Sequence, residues 1–480
     1  MNPLISTLAV LAVWQPATAP QQDERMIAQS NVVDIKDGDQ TMAAAWTLNA
    51  SYNPDIYVTQ LGRGQRKDVC FISGPNRLCR NVGIGEKHDF VIAHQGVDYP
   101  TRVEGKFVPP AAVFDSAYQA AHRGKVTVLI PEVYELVNVA IALTPYVREQ
   151  KDQTAKYLVM RDSAYHRDLE THFAPVATHP FVLWLDKRLR QGLYARDKMN
   201  GYAFEYAADG NIVRSPVYDR TSFNGDAENS LLPALEQMRD FSRKSNFRAF
   251  YAKHRDIYEE QIVFMRTGLN YPRMQQWLKR EFPKVKPYDH VKIVFSPLVF
   301  GSQSVTWLES NGFRELQPHI NFPYEQNFKA PVSAEARTLQ RGNLLFTETN
   351  HGFINPTADP YAGEIAKAVS NRDLWARKGS SADGYGGPQS VFNEYMNWGL
   401  VNLFYADHAP SADVDALIEL NNKQQSNGRG FVRFPQFSSF LVDLYRKRPA
   451  GTTIADLYPQ IIAWFAANNA APAGNAPQSS

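Results

Sequence analysis

Cysteine is nearly missing from this 480-residue chain, which has only Cys70 and Cys79. Two thiols cannot build a cysteine-rich structural zinc site. Any long block of one charge is missing too. Lys and Arg number 51 against 49 Asp and Glu, so there is no basic stripe for nucleic acid, and none is expected as a partner. Beyond the first twenty residues no apolar run reaches the length of about eighteen needed to span a membrane, so no membrane span is expected in the mature chain. A G-x-S-x-G elbow, a Walker loop and a dinucleotide glycine signature are all absent. Serine hydrolases, P-loop NTPases and Rossmann enzymes therefore have no motif to support them.

What is present is a well-stocked globular composition, 44% hydrophobic and 12% aromatic, ample for more than one core. Residues 1–20 read as a signal-like segment: an apolar stretch from Leu4 to Trp14 precedes Ala17-Thr18-Ala19. This predicts export to a periplasmic or extracellular space. In such a chain the turn Ser73-Gly74-Pro75-Asn76 would carry Cys70 and Cys79 across a hairpin and close a disulfide. Two buried free thiols are the alternative.

The pattern predicts an α+β fold. Short β-type runs broken by turn residues indicate a small antiparallel β domain over residues 32–108. After Val108-Pro109-Pro110 the spacing becomes helical, giving a mainly helical domain over 109–290. It is interrupted by one hairpin around Ala208-Asp209-Gly210-Asn211. Phe247, Phe250, Tyr251, Tyr258 and Phe264 recur at helical spacing and are assigned to its core. A third domain, 291–468, opens with a strand and a hairpin around Ser310-Asn311-Gly312, the beginnings of a small mixed sheet. A helix from about Ser333 to His351 follows, with its stop at Gly352 to Pro356, and then further helices. Residues 469–480 form a low-complexity tail expected to be disordered.

One segment carries chemistry. Thr347-Glu348-Thr349-Asn350-His351 has the form of the H-E-x-x-H zinc helix with threonine in place of the first histidine. Glu348 and His351 are three apart and share a helical face. Asn393-Glu394-Tyr395 places a further carboxylate on a second helix, with His351 as its expected partner. His166, His172 and His179 are spaced too loosely for a ligand pair and read as structural.

The succession of strand, hairpin, helix with E-x-x-H, connector and helix with a downstream glutamate resembles the gluzincin-type zincin metallopeptidases. The segments Pro131 to Asn138, Tyr165 to Pro180, Phe346 to Pro356 and Phe392 to Trp398 are similar to a family of uncharacterised exported bacterial proteins, a domain of unknown function related to those peptidases. The resemblance covers about residues 40 to 410. It implies that 291–468 is a zincin-like domain, with His351 and Glu394 as metal ligands and Glu348 as general base. Thr347 is a poor zinc ligand, and His319, or Glu348 itself, is a candidate for the remaining position. Tyr385, in the loop Gly384 to Pro388, is a candidate oxyanion donor.

Three readings follow. The first is an exported zincin-like hydrolase, peptidase-related, using zinc on a peptide or protein substrate. The second is a non-catalytic relative that binds a peptide or glycan partner. The third treats Glu348 and Glu394 as a metal-free glycosidase pair.

Overall fold

The computed structural model describes residues 25–221 and 228–469. The signal-like segment and nearly all of the low-complexity tail lie outside the described residues. The chain divides into two compact units, Met1–Phe107 and Val108–Ser480, and the fold is α+β.

In the first unit eight strands form two four-stranded sheets. One has the order β1 (Arg25–Ile27), β7 (Lys87–His94), β8 (Val97–Phe107), β4 (Asp55–Leu61). The other has the order β3 (Gln40–Thr47), β2 (Val32–Asp37), β5 (Arg66–Ser73), β6 (Asn76–Gly83). Pairing is antiparallel except for β1 with β7 and β4 with β8. Alternate residues point inward, so Val33, Ile35, Val69, Phe71, Phe90, Ile92 and Val103 fill one core from both sheets. β5 and β6 are the hairpin read from the sequence, with Ser73 opposite Asn76 and Cys70 opposite Cys79. The two cysteines form a disulfide. Linking two residues nine apart in sequence corresponds to about 2–3 kcal/mol of stabilisation in the chain-entropy account. Cys70→Ala/Cys79→Ala is expected to lower the stability of this unit by that amount in urea denaturation; an unchanged midpoint would show that the hairpin is held by its core alone.

The second unit is built on a mixed sheet of order β13 (Ser304–Ser310), β14 (Phe313–Asn321), β12 (His290–Ser296), β9 (Lys125–Leu129). β9, β12 and β14 run parallel, and β13 returns antiparallel to β14 through Asn311-Gly312, both in the left-handed region the tight turn needs. Because β9 pairs with β12, residues on both sides of position 290 share one sheet. A short hairpin, β10 (Phe204–Tyr206) with β11 (Ile212–Arg214), interrupts the helices as the turn residues indicate. Phe247, Phe250 and Tyr258 are buried and Tyr251 and Phe264 pack against the same core.

Two helices position the candidate site. The first, Asn343–Ala358, is separated by Gly342 from the preceding Ala334–Arg341. It passes straight through Gly352 and Pro356, where the sequence predicts a stop. A Cβ at Gly352 would stand 3.0 Å from the Tyr288 ring and 3.2 Å from Leu316, so this glycine serves close packing. Pro356 lacks the N–H that would bond to the Gly352 carbonyl, and the Tyr288 hydroxyl donates to that carbonyl instead, at 3.3 Å. The second helix, Pro388–His408, starts with proline in its first turn and packs along the first.

Candidate functional site

Glu348, His351 and Glu394 come together on these two helices. His351 Nε2 lies 3.2 Å from Glu394 Oε1 and 2.8 Å from Asn397 Nδ2, and its Nδ1 lies 3.3 Å from Asn355 Oδ1. The Asn355 contact is one helical turn further along the same helix, so it fixes the ring from behind. Burial pulls the imidazole pKa down, but the bond to Glu394 and the charges of Glu394 and Glu348 outweigh it and hold His351 above the usual histidine range.

The group that decides the electrostatics is Arg429. Its Nη2 donates to Glu394 Oε2 at 3.0 Å and to the Tyr385 hydroxyl at 2.6 Å. Its guanidinium carbon stands 5.7, 5.3 and 5.0 Å from the ring centres of Tyr385, Trp398 and Phe431, a cage of the kind that favours a planar cation. Arg429 ends a wide helical turn, Gln424–Arg429, and Gly430 then takes a left-handed conformation with φ +90°. A Cβ on Gly430 would collide with Ser380, so glycine is required for the chain to turn here and aim Arg429 inward. Burial alone would raise the Glu394 carboxyl; the charge of Arg429 and the contacts with His351 override it and hold it at about 2.

Tyr385 is held through its carbonyl, which accepts from Arg372 Nη2 at 3.0 Å and Nε at 3.1 Å. Burial and the Glu394 charge raise its phenol above the ordinary value, so it stays protonated.

Glu348 differs from Glu394 in having no hydrogen bond from another side chain among the described residues. Burial pushes its carboxyl up to about 7, with Glu394 adding to the rise and His351, Arg429 and Lys198 opposing it. Lys198 comes from the helix Tyr194–Asn200. Fully buried, it donates to the Ser302 carbonyl at 2.6 Å, just before β13, and burial lowers it to about 7 against the pull of Glu348.

The other sequence candidates stand elsewhere. The Thr347 hydroxyl donates to the Leu344 carbonyl within its own helix, at 3.1 Å. His319 is buried on β14, its Nε2 2.9 Å from Gln317 Oε1, and burial with the charges of Lys198 and Lys292 keeps it well below the usual histidine range. His166, His172 and His179 sit among Glu170, the Ser245 carbonyl and Asp240 respectively.

A zincin-type metal would need His351, Glu394 and a further ligand directed at one point. Among the described residues no three His, Cys, Asp or Glu side chains converge in that way. Glu394 already carries the Arg429 guanidinium on one oxygen and His351 on the other. A second cation beside Arg429 would be repelled, so the donor set does not fit zinc.

Sequence reasoning passed over Arg429 and Lys198. Arg429 leaves one trace, a lone cation between Gly428 and Gly430 at a helix end. Lys198, within Arg-Asp-Lys-Met-Asn, looks like an ordinary surface lysine. No family model matches the chain, and no curated protein or solved structure does either.

Proposed function

We propose that this protein is an exported, zincin-like scaffold that binds a peptide partner at a metal-free centre. The observation that carries the reading is the Arg429–Glu394–His351 arrangement, in which a guanidinium supplies the positive charge a zinc ion would bring. The centre is mostly buried and reaches the surface through Arg429 and His351, whose side chains are 21% and 15% exposed. Beside His351 the Asn397 amide oxygen is buried and without a partner among the described residues, an acceptor that a bound main-chain N–H would satisfy.

The neighbouring strand β13 supports the same reading. It is the edge of its sheet, and among the described residues its main chain bonds only to β14. An extended peptide can add to such an edge. The Cys70–Cys79 disulfide is compatible with export.

Zinc analysis of protein purified without chelator, together with thermal denaturation, tests the metal-free centre. Zinc at a hundred times the Kd of a real site would stabilise the fold by about 2.7 kcal/mol. The expected result is no stoichiometric zinc and no stabilisation. Stoichiometric zinc that disappears in both His351→Ala and Glu394→Ala would overturn the proposal. Binding is read by fluorescence anisotropy with a library of extended peptides, and Glu394→Gln is expected to weaken it; binding to glycans but to no peptide would replace the partner class.

One observation favours hydrolysis as a second reading. A carboxyl held at about 7 with no side-chain hydrogen bond among the described residues is poised for proton transfer near neutral pH. Under that reading peptide cleavage is measurable and falls about 10²-fold or more in Glu348→Gln. Cleavage at the same rate in that variant would remove Glu348 from the mechanism.

A further inference from the structure

A second constellation lies apart from Glu348, on the sheet face formed by β9, β12 and β14. A cavity of about 450 Å³ opens here, and Lys292 and Val294 of β12 line it together with Tyr118, Tyr202 and Tyr218. Strand alternation places His290, Lys292 and Val294 on one face, and in register His290 stands opposite Glu315 and Val294 opposite His319. A sheet face packed against helices is ordinarily apolar. This one instead carries a connected polar row, with Glu315, Gln317 and His319 all fully buried.

The row has a direction. The Lys292 Nζ donates to the Tyr218 hydroxyl. Tyr218 donates to Glu315 Oε1 at 2.8 Å, Tyr118 donates to Glu315 Oε2 at 2.5 Å, and His290 Nδ1 lies 2.6 Å from the same Oε2. His290 Nε2 ends the chain 3.0 Å from the Thr127 hydroxyl. The cavity's lysine is thus linked through a phenol to a fixed carboxylate.

Lys292 itself makes no ion pair among the described residues, although its nitrogen sits 4.3 Å from the centre of the Tyr218 ring. Burial lowers its pKa against the opposing charges of Glu315 and Glu205. A half-buried amine, unpaired, facing a cavity and touching a phenol, has the surroundings of a nitrogen nucleophile.

We propose that this cavity is a covalent carbonyl site, in which the Lys292 amine condenses with a small aldehyde or ketone to form an imine. The neutral nitrogen attacks the carbonyl carbon, the C–N bond forms, and the carbonyl π pair moves onto oxygen, which takes the Tyr218 proton. As it gives that proton up, Tyr218 takes one from nitrogen, so no free phenolate is left beside Glu315. A second transfer from Tyr218 to the carbinolamine hydroxyl lets the C–O bond break, the nitrogen pair forms C=N, and water leaves. The remaining nitrogen proton returns to Tyr218, so amine and carbonyl give imine and water with nothing oxidised or reduced. In the resting site Glu315 Oε1 accepts the Tyr218 proton and so places the phenol; Tyr218 gives up that bond when it turns its proton toward the carbonyl oxygen.

The test is reductive trapping on the folded wild-type chain. Pyruvate and, separately, propanal are added with sodium cyanoborohydride, and adducts are located by peptide mass mapping. The expected result is that at least one probe labels Lys292 faster than the exposed lysines of the same molecule. In Tyr218→Phe the rate at Lys292 is expected to fall by about 10²-fold, while exposed lysines are labelled as before. Label confined to exposed lysines, or Lys292 labelled no faster than they are, overturns the proposal. Because the first measurement uses the wild-type protein, no variant's failure to fold can decide it.

Discussion

Arg429→Met is expected to be the most damaging single substitution at the centre, lowering stability by about 3 kcal/mol at pH 7. Removing one partner of a buried ion pair leaves an uncompensated charge, at a cost of about 3–5 kcal/mol. The partial exposure of Arg429 puts this case at the lower end. The pH dependence identifies the cause. Glu394 is held at about 2 in the folded protein against an ordinary 4.5, so its contribution is fully present above pH 4.5 and is lost as pH falls through 2. The gap between wild type and Arg429→Met in urea denaturation should therefore be wide at pH 7 and narrow toward pH 3. A gap that does not change with pH would assign the loss to aromatic packing rather than to Glu394. Arg429→Lys should fall between the two, because an ammonium keeps the charge but cannot bond Glu394 and Tyr385 with the geometry of the guanidinium.

Lys198→Met is expected to act in the opposite direction, raising stability at pH 6. The folded pKa of Lys198, about 7, lies below its ordinary 10.5. Above pH 10.5 both states are neutral and burial carries no electrostatic penalty. As pH falls from 10.5 to 7 the unfolded chain takes up a proton that the folded chain does not, and the penalty grows to its full size below 7. A difference of that size corresponds to about 5 kcal/mol, from which about 1–2 kcal/mol is subtracted for the lost bond to the Ser302 carbonyl. Lys198→Met should thus be more stable than wild type by about 3 kcal/mol at pH 6, and the advantage should vanish toward pH 10. A less stable variant at pH 6 would mean that Lys198 and Glu348 are a true ion pair in the folded state.

The opposed states of Glu348 and Glu394 give the centre its character. Two buried carboxyls near one histidine are driven apart, one to about 7 and the other to about 2, because Arg429 bonds only to the second. Such a split is how one site can hold a proton carrier beside a fixed anion. That chemistry does not depend on which of the proposed roles the protein fills.

Much of the local structure was legible because it follows from short-range rules. The Ser73 to Asn76 turn fixed the β5–β6 register, and that register put Cys70 against Cys79. Asn311-Gly312 marked the β13–β14 hairpin for the same reason. The i, i+3 spacing of Glu348 and His351 placed them on one helical face, and the downstream Glu394 was read as the partner of His351, which it meets at 3.2 Å. Gly352 and Pro356 misled. The propensity to stop a helix is a local preference, and here the Tyr288 hydroxyl satisfies the carbonyl that proline leaves unbonded.

By itself the sequence determined the α+β class, the hairpin that sets Cys70 against Cys79 and the two helices that carry Glu348, His351 and Glu394. These depend on periodicity, turn chemistry and spacing, all of which are written within a few consecutive residues. Only the tertiary structure decided the electrical state of the site. Arg429 lies 35 residues beyond Glu394, and Lys198 comes from a helix far earlier in the chain. Neither has a periodic or motif signature, and a pKa depends on which charges and how much water surround a group in three dimensions. The polar row behind Lys292 belongs to the same class, since it forms only when β9, β12 and β14 pair and Tyr118 and Tyr218 close over them.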